Sequence, residues 1–484
     1  MRAHKTGKLL YTLVGPFLAI LVGCLVKQSS GDNKTSQMAG IACWMAIWWF
    51  TEAVHLAVTA FIPILFMPLF GIAEAKLVAR QYTDSIIFLF IGGFMLAFAI
   101  EKHGLHKRIA LKILSFVGNN PSRILFGIML STYLISNWIS NTATTIMLFG
   151  AVMALISELD NYIHEGKRKF EAALLLGLAF SATIGGMATP VGTPPNLFFF
   201  KEYMKAFPEA QDLNFLTWAK IGFPLSFSLL ITCFLVLKYY FLRKTEINLD
   251  RNFFKHELKK EGKATREQRI IAIIFLSCMV LWFTRENLNF GSFGFRGWKN
   301  LFPNPDAVDD STVALAASLL LFLIPTKEGK ENILEWNDAG KLRYDIILMF
   351  GSGFALAYGF EISGLSEWLA GSLAIFKNVP VFILVFFICV IVTLISEFAS
   401  NIASIQLCIP ILISMQKELD IHPLLLMIPA TFAASLGFML PVATAANTIV
   451  FGTKKIEIRD MFRVGLILDL VGILLITAFV FLFF

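Results

Sequence analysis

Ser140-Asn141-Thr142 lies in the middle of an uncharged apolar segment running from Ile124 to Ile156, and it returns in altered form as Ser400-Asn401-Ile402. The copies stand 260 positions apart. The same offset carries Phe90-Ile91-Gly92-Gly93-Phe94 onto Phe350-Gly351-Ser352-Gly353-Phe354, and Glu101, Gly104 and Leu105 onto Glu361, Gly364 and Leu365. An offset of 251 lays Pro190-Val191-Gly192-Thr193-Pro194-Pro195-Asn196 on Pro441-Val442-Ala443-Thr444-Ala445-Ala446-Asn447, and Gly186 on Gly437. An offset of 233 lays Trp49-Phe50-Thr51 on Trp282-Phe283-Thr284. One unit is therefore present twice, and the drift in offset records loops of different length.

Composition sets the solvent in which that unit is stable. The chain is 57% hydrophobic and 15% charged, with 48 Phe among 484 residues, too apolar for a soluble protein of this length. It reads as an all-α polytopic membrane protein. The net charge of +7 does not point to nucleic acid, because the basic residues fall in short loops between apolar spans, where they report topology. The six cysteines all lie inside apolar segments without metal or disulfide spacing and read as small core residues.

A spanning helix needs about 20 apolar residues. Leu9 to Val26 supplies the first, an anchor and not a cleaved signal, since no small-residue cleavage site follows it. Ala39 to Ile72 is long enough for two, broken near Thr51 to Leu56, and Ile86 to Ile100 makes a fourth. Leu105 to Phe116 puts Arg108, Lys112 and Ser115 on one face and Leu105, Ile109, Ile113 and Phe116 on the other, the pattern of an interfacial helix. Either flank of Ser140-Asn141 is roughly 16 residues, about 24 Å of helix against a hydrocarbon core of about 30 Å. A re-entrant hairpin fits better than one overlong helix. Ala172 to Phe200 is interrupted by Gly185-Gly186 and by the prolines at 190, 194 and 195, which remove backbone donors and predict a discontinuous helix with a polar elbow.

The expected organisation is an N-terminal span and loop over 1–38, a first repeat over 39–241 and a basic linker over 242–269, followed by a second repeat over 270–484. Hairpins are expected at 121–159 and 379–415, and broken helices at 172–200 and 424–451. The linker carries nine Lys and Arg residues, which predicts a cytoplasmic position for it and for the N-terminus. The basic loops near 167, 327–343 and 454–463 fall on the same side when spans are counted. There are about 11 spans, and each repeat makes an odd number of crossings, so the two repeats have inverted topology. That is the pattern of secondary transporters, whose site forms at the bilayer midplane where broken elements of both repeats meet.

The residues at that midplane limit its chemistry. Across both hairpins and both broken helices the only charged residue at membrane depth near the motifs is Glu397, and no Lys, Arg or His lies there. Hydroxyls, side-chain amides and freed carbonyls suit a hard cation, while half-helix N-termini favour an anion. With oxygens but no fixed cation, an anion binds well only in company with dissolved cations. The reading is cation-coupled anion transport.

Ser140-Asn141-Thr142, Ser400-Asn401, the Gly-Thr-Pro-Pro-Asn of 192–196 and Gly359-Phe360-Glu361-Ile362-Ser363-Gly364-Leu365 closely resemble the divalent anion/sodium symporter (INDY-like) family of di- and tricarboxylate and sulfate transporters. The resemblance covers nearly the whole chain. It implies one sodium site from Ser136, Ser140, Asn141 and the backbone at Gly192, and a second from Ser396, Ala399, Asn401 and the backbone at Ala443. It implies that a carboxylate anion such as succinate is held by Ser140, Asn141, Thr142, Ser400 and Asn401 with Thr193 and Thr444. It further implies co-transported Na+ with no organic cofactor, a homodimer in the plasma (inner) membrane, and an elevator movement of hairpins and broken helices against a scaffold. Two departures, Ile402 in place of a Thr and Ala445-Ala446 in place of Pro-Pro, bear on substrate preference.

Other readings are weaker. A lone Ser-Asn-Thr would be helix-packing polarity, but its duplication in inverted units argues otherwise. A membrane enzyme would need a zinc helix or a nucleophile with its base, and neither motif is present. A channel or ion exchanger on a related inverted-repeat fold is the rival, but anion exchange without sodium would call for a fixed positive side chain near the tips, and the sequence has none there. Glu397 reads as satisfying backbone at the hairpin before it reads as a cation ligand. Glu101 and Glu361 read as interfacial anchors. Asp469, an ionisable residue inside the last span, is a functional candidate for which the sequence supplies no partner.

Overall fold

The computed structural model describes residues 2–117, 120–159, 163–208, 213–243, 245–247, 253–290 and 293–483. Nine helices among them are long and apolar enough to cross a membrane, and the outward faces carry large apolar side chains such as Phe17, Ile20, Leu319, Phe387 and Leu474. The only strands among the described residues are two short antiparallel pairs, Ile163–Glu165 with Glu246–Ile247 and Leu288–Phe290 with Phe293–Phe295. The fold is an all-helical polytopic membrane protein of two inverted repeats.

The expected break after Thr51 is present. Helix Asn33–Thr51 stops where Glu52 takes a left-handed backbone (φ 45°), and the chain restarts at Leu56 and again at Phe61–Leu69. The amphipathic segments form as Leu105–Val117 and Leu365–Leu373, each entered through a glycine with positive φ, Gly104 and Gly364. Arg108 fixes the first of them to the basic linker, donating to Gln268 and to the carbonyls of Glu261, Gly262 and Lys263.

Both hairpins form. Pro121–Ser136 starts on an Asn120 side-chain cap with proline at its first position, where no amide donor is missed. After a turn over residues 137–140 the chain returns as Asn141–Leu159. Val381–Phe398 and Asn401–Leu419 meet across a still shorter turn, with Ser400 as cap. At 18 and 19 residues the second pair of arms would each span by length alone. Their polar, capped junction makes them a hairpin.

The discontinuous helices form as Lys167–Gly186 with Pro194–Ala206, and as Pro423–Ala433 with Ala445–Phe451. The second unwinds earlier relative to the repeat, at Ala433 and not at Gly437, so its elbow is longer. Packing crosses the repeats. Asn141–Leu159 packs on Ala445–Phe451, and Asn401–Leu419 packs on Pro194–Ala206. The first broken helix is tied to neighbouring helices by Lys201 to Asp84 at 3.2 Å and Lys205 to Glu361 at 3.0 Å, so Glu361 is an ion-pair partner and not simply an anchor. Helices Ser85–Lys102 and Asp310–Leu323 touch closely because Gly92 lies against Ala314, where an added Cβ would come within 2.6 Å.

Candidate functional site

In the first repeat the hairpin tip is pressed against the elbow. Ser136, fully buried, places its hydroxyl oxygen 2.6 Å from the Ala182 carbonyl and 3.0 Å from Asn141 Oδ1. The Ser136 hydroxyl can donate to either oxygen, and its Oγ, Asn141 Oδ1 and the Ala182 carbonyl oxygen form one oxygen-rich cluster. The second repeat reproduces this: Ser396 Oγ lies 2.6 Å from the Ala434 carbonyl and 3.0 Å from Asn401 Oδ1.

Glycines make the approach possible. A Cβ on Gly186 would come within 2.3 Å of Asn141 Oδ1, and one on Gly192 within 2.6 Å of the Gly186 carbonyl oxygen and 3.0 Å of that of Asn137. Oxygens of tip and elbow therefore crowd one small volume. Around Gly437 the second repeat is looser, with Asn401 Oδ1 3.8 Å from where a Cβ would stand.

Each elbow is held open by one asparagine. Asn196 Nδ2 donates to the carbonyls of Gly186 (3.1 Å) and Thr189 (2.8 Å), and Asn447 Nδ2 to those of Gly437 (2.9 Å) and Leu440 (3.1 Å). Both Oδ1 atoms are buried without a donor. The sequence reading assigned these residues no role, although their recurrence in the repeated motif was a usable signal. The Ala182 and Ala434 carbonyls carried no such signal, because a backbone group is not written in residue identity.

Of the residues expected to hold substrate, Ser140, Asn141, Thr142, Ser400, Asn401 and Thr444 are half-buried, and Thr193 is buried. Ser140 and Ser400 accept the backbone N–H three residues on, at 3.4 and 3.3 Å, and Thr444 accepts that of Asn447 at 3.1 Å. Thr193 caps Pro194–Ala206 without a side-chain bond. Ser140 and Gly192 line a cavity of about 10 Å³, room for about one water, against Phe90, Gly93, Phe94 and Ala97. Ser400, Asn401 and Thr444 are not on its wall, so the two tips do not share this cavity. Sodium-site candidates Ala399 and Ala443 are buried at the second tip and elbow.

The repeats differ in how the tips are covered. Trp138 packs parallel to Phe215 (5.7 Å, 8°) and Trp282 (6.2 Å, 3°), which also stack on each other (5.3 Å), whereas its counterpart Phe398 is 66% exposed. Glu397 satisfies backbone of the elbow, not of the hairpin as the sequence suggested: its oxygens accept the N–H groups of Met439 (2.8 Å) and Leu440 (2.9 Å). Asp469 is also buried. The polar groups facing it are the Glu397 carboxyl and the Phe438 backbone N–H, and neither of its oxygens makes a well-formed hydrogen bond.

Two inverted units, each setting a polar hairpin tip against an unwound elbow between half-helix N-termini, define a secondary transporter. The family described as sodium:sulfate symporter transmembrane region matches residues 7–484, and the chain belongs to it. Among curated relatives, the sodium-dependent dicarboxylate transporter SdcS of Staphylococcus saprophyticus is 35% identical over 489 aligned positions, covering 99% of this chain and 92% of the relative. SdcS of Staphylococcus aureus strain MRSA252 is 35% identical with the same coverage. Among solved structures, the YdaH transporter of Alcanivorax borkumensis, whose crystal structure is described as showing an unusual topology, aligns with a TM-score of 0.51 at 15% identity, covering 86% of this chain and 87% of that one. That likeness concerns the fold alone.

Proposed function

We propose that this protein is a sodium-coupled symporter of dicarboxylates such as succinate, residing in the plasma membrane with its N-terminus in the cytoplasm. The observation that carries the reading is the oxygen-on-oxygen contact of Ser136 with Asn141, repeated by Ser396 with Asn401. At each tip a hydroxyl, an amide and a carbonyl oxygen gather within 2.6 to 3.0 Å of the serine Oγ, the kind of oxygen cluster that a hard monovalent cation prefers. Ser140 and the Gly192 backbone complete the first set, and Ala399 and the Ala443 backbone complete the second.

The substrate anion follows from the same geometry. The half-helices that begin at Asn141 and Asn401 offer N-terminal backbone N–H groups at the tips, and with Ser140, Asn141, Thr142, Thr193, Ser400, Asn401 and Thr444 they would supply donors to carboxylates without a basic side chain. Bound sodium supplies the positive charge, which couples the two binding events. The sodium-dependent dicarboxylate transporters similar to the chain support this class of substrate. In this reading hairpins and broken helices move together as an elevator within a homodimer, with repeat 1 over 39–241 and repeat 2 over 270–484.

The test is uptake of labelled succinate, citrate and sulfate into proteoliposomes, with and without an inward sodium gradient. Sodium-dependent succinate uptake is expected. Uptake that persists unchanged in potassium buffer would remove the coupling.

A further inference from the structure

The offsets that superpose the repeats bring Asn137 onto Glu397 and Thr189 onto Leu440. These position pairs tie tip to elbow in both halves, with reversed chemistry. In the first, the Thr189 hydroxyl of the elbow donates to the Asn137 carbonyl of the tip. In the second, Leu440 has no hydroxyl, and Glu397 of the hairpin instead reaches across to accept the elbow's own N–H groups at Met439 and Leu440.

The reversal has a physical reason. The first elbow runs into Pro194-Pro195, whose fixed φ angles stiffen it, while the second runs into Ala445-Ala446 and unwinds earlier, after Ala433. That longer unwound segment exposes more backbone donors at buried depth, where each needs a partner. A carboxylate accepting two of them makes charge-assisted bonds, stronger than a neutral hydroxyl contact.

We infer that Glu397 is the positioning residue of the second cation site. It touches neither ion nor substrate. It holds the elbow at Met439 and Leu440, and the Leu440 carbonyl in turn accepts the Ala443 N–H at 3.2 Å, which fixes the turn that carries the proposed Ala443 ligand. This rests on the proposed sodium coupling, and it predicts that the sites differ in kind: the first is rigid through proline and a hydroxyl, the second depends on one buried carboxylate.

The experiment measures the sodium dependence of succinate uptake by Glu397→Gln in proteoliposomes. An amide offers one acceptor where the carboxylate offers two, so the half-saturating sodium concentration should rise about tenfold. The succinate KM at saturating sodium should stay within about twofold. A second readout needs no transport. In a cysteine-free chain carrying Val442→Cys, at an elbow position that is 71% exposed, sodium should slow maleimide labelling, and adding Glu397→Gln should shift that protection to higher sodium. Should Glu397→Gln not fold, Glu397→Asp serves in both assays and should lie between the two. Sodium dependence and protection unchanged by the substitution would overturn the inference, as would a succinate KM that rises as much as the sodium requirement. Absence of sodium dependence in the unmodified protein would instead overturn the proposed function.

Discussion

Gly186 leaves the space that Asn141 occupies: a Cβ at position 186 would stand 2.3 Å from Asn141 Oδ1, well inside any permitted contact. Gly186→Ala should therefore push the Asn141 amide off Ser136 and lower sodium-driven uptake at least tenfold. Gly437→Ala, where the nearest atom is the Ala443 Cβ at 3.3 Å, should retain most of it. Equal losses in a side-by-side uptake assay would show that the tight approach in the first repeat has no special function.

Asn141 and Asn401 each present one oxygen to a serine and begin a half-helix. On the proposed site, replacing either with Ala removes a cation ligand and a substrate donor together. Each loss is worth roughly 1 to 3 kcal/mol, so uptake by Asn141→Ala and by Asn401→Ala should fall below a tenth at ordinary sodium. A fully active double variant would exclude these residues from the site.

Ile402 is buried to 8% exposure, while its counterpart Thr142 is half-buried with a hydroxyl. The second tip thus offers one donor fewer. An elongated dianion tolerates that at one end while Asn401 and Ser400 hold it, whereas compact sulfate carries charge on every face. Succinate should outcompete sulfate, and Ile402→Thr should narrow the gap while leaving sodium dependence intact. Competition uptake with both anions at equal concentration decides it, and affinities unchanged within error would remove Ile402 from selectivity.

Asp469 lies beside Glu397 with no basic partner among the described residues and with neither oxygen well bonded. Asp469→Asn keeps the shape and supplies an amide donor toward Glu397. Replacing an ionisable group that faces another carboxyl at buried depth with a neutral amide should stabilise the fold by about 1 to 3 kcal/mol. The thermal midpoint in detergent should rise by a few degrees. A drop in that midpoint would mean that Asp469 makes an essential contact as a carboxyl.

Asp338 gives a pH-dependent contribution. Burial pushes its carboxyl up, but the Glu335 backbone N–H and Lys102, 2.8 Å away, outweigh that and hold it below the usual carboxylate range. A depressed folded pKa means that the unfolded chain takes up the proton first, so the stabilisation is present at neutral pH and is lost as pH falls through the folded value. Asp338→Asn should cost about 1 kcal/mol at pH 7, and the difference from the parent should shrink in strongly acidic buffer. Thermal unfolding followed across that range checks the sign.

The sequence by itself determined the solvent, the repeat and the place of the chemistry. An uncharged run around Ser140-Asn141 too short for two spans, proline and glycine inside another run, and recurrence of both at steady offsets leave an inverted pair of hairpins and elbows as the economical arrangement in lipid. Local hydrogen-bond demand decides that much, because backbone groups at membrane depth must find partners within the chain. Tertiary structure alone decided which backbone oxygens join Ser136 and Ser396, namely those of Ala182 and Ala434, since a carbonyl leaves no trace in residue identity. It also decided that Glu397 serves the elbow and not its own hairpin. Neighbouring side chains on one helix can be read from spacing, but a carboxylate crossing 42 positions to Met439 depends on how two separate elements pack. The covering of Trp138 by Phe215 and Trp282, with Phe398 left exposed, was likewise beyond the sequence. The strings already differ at Trp138 and Phe398, but only packing against the rest of the molecule decides what that difference does.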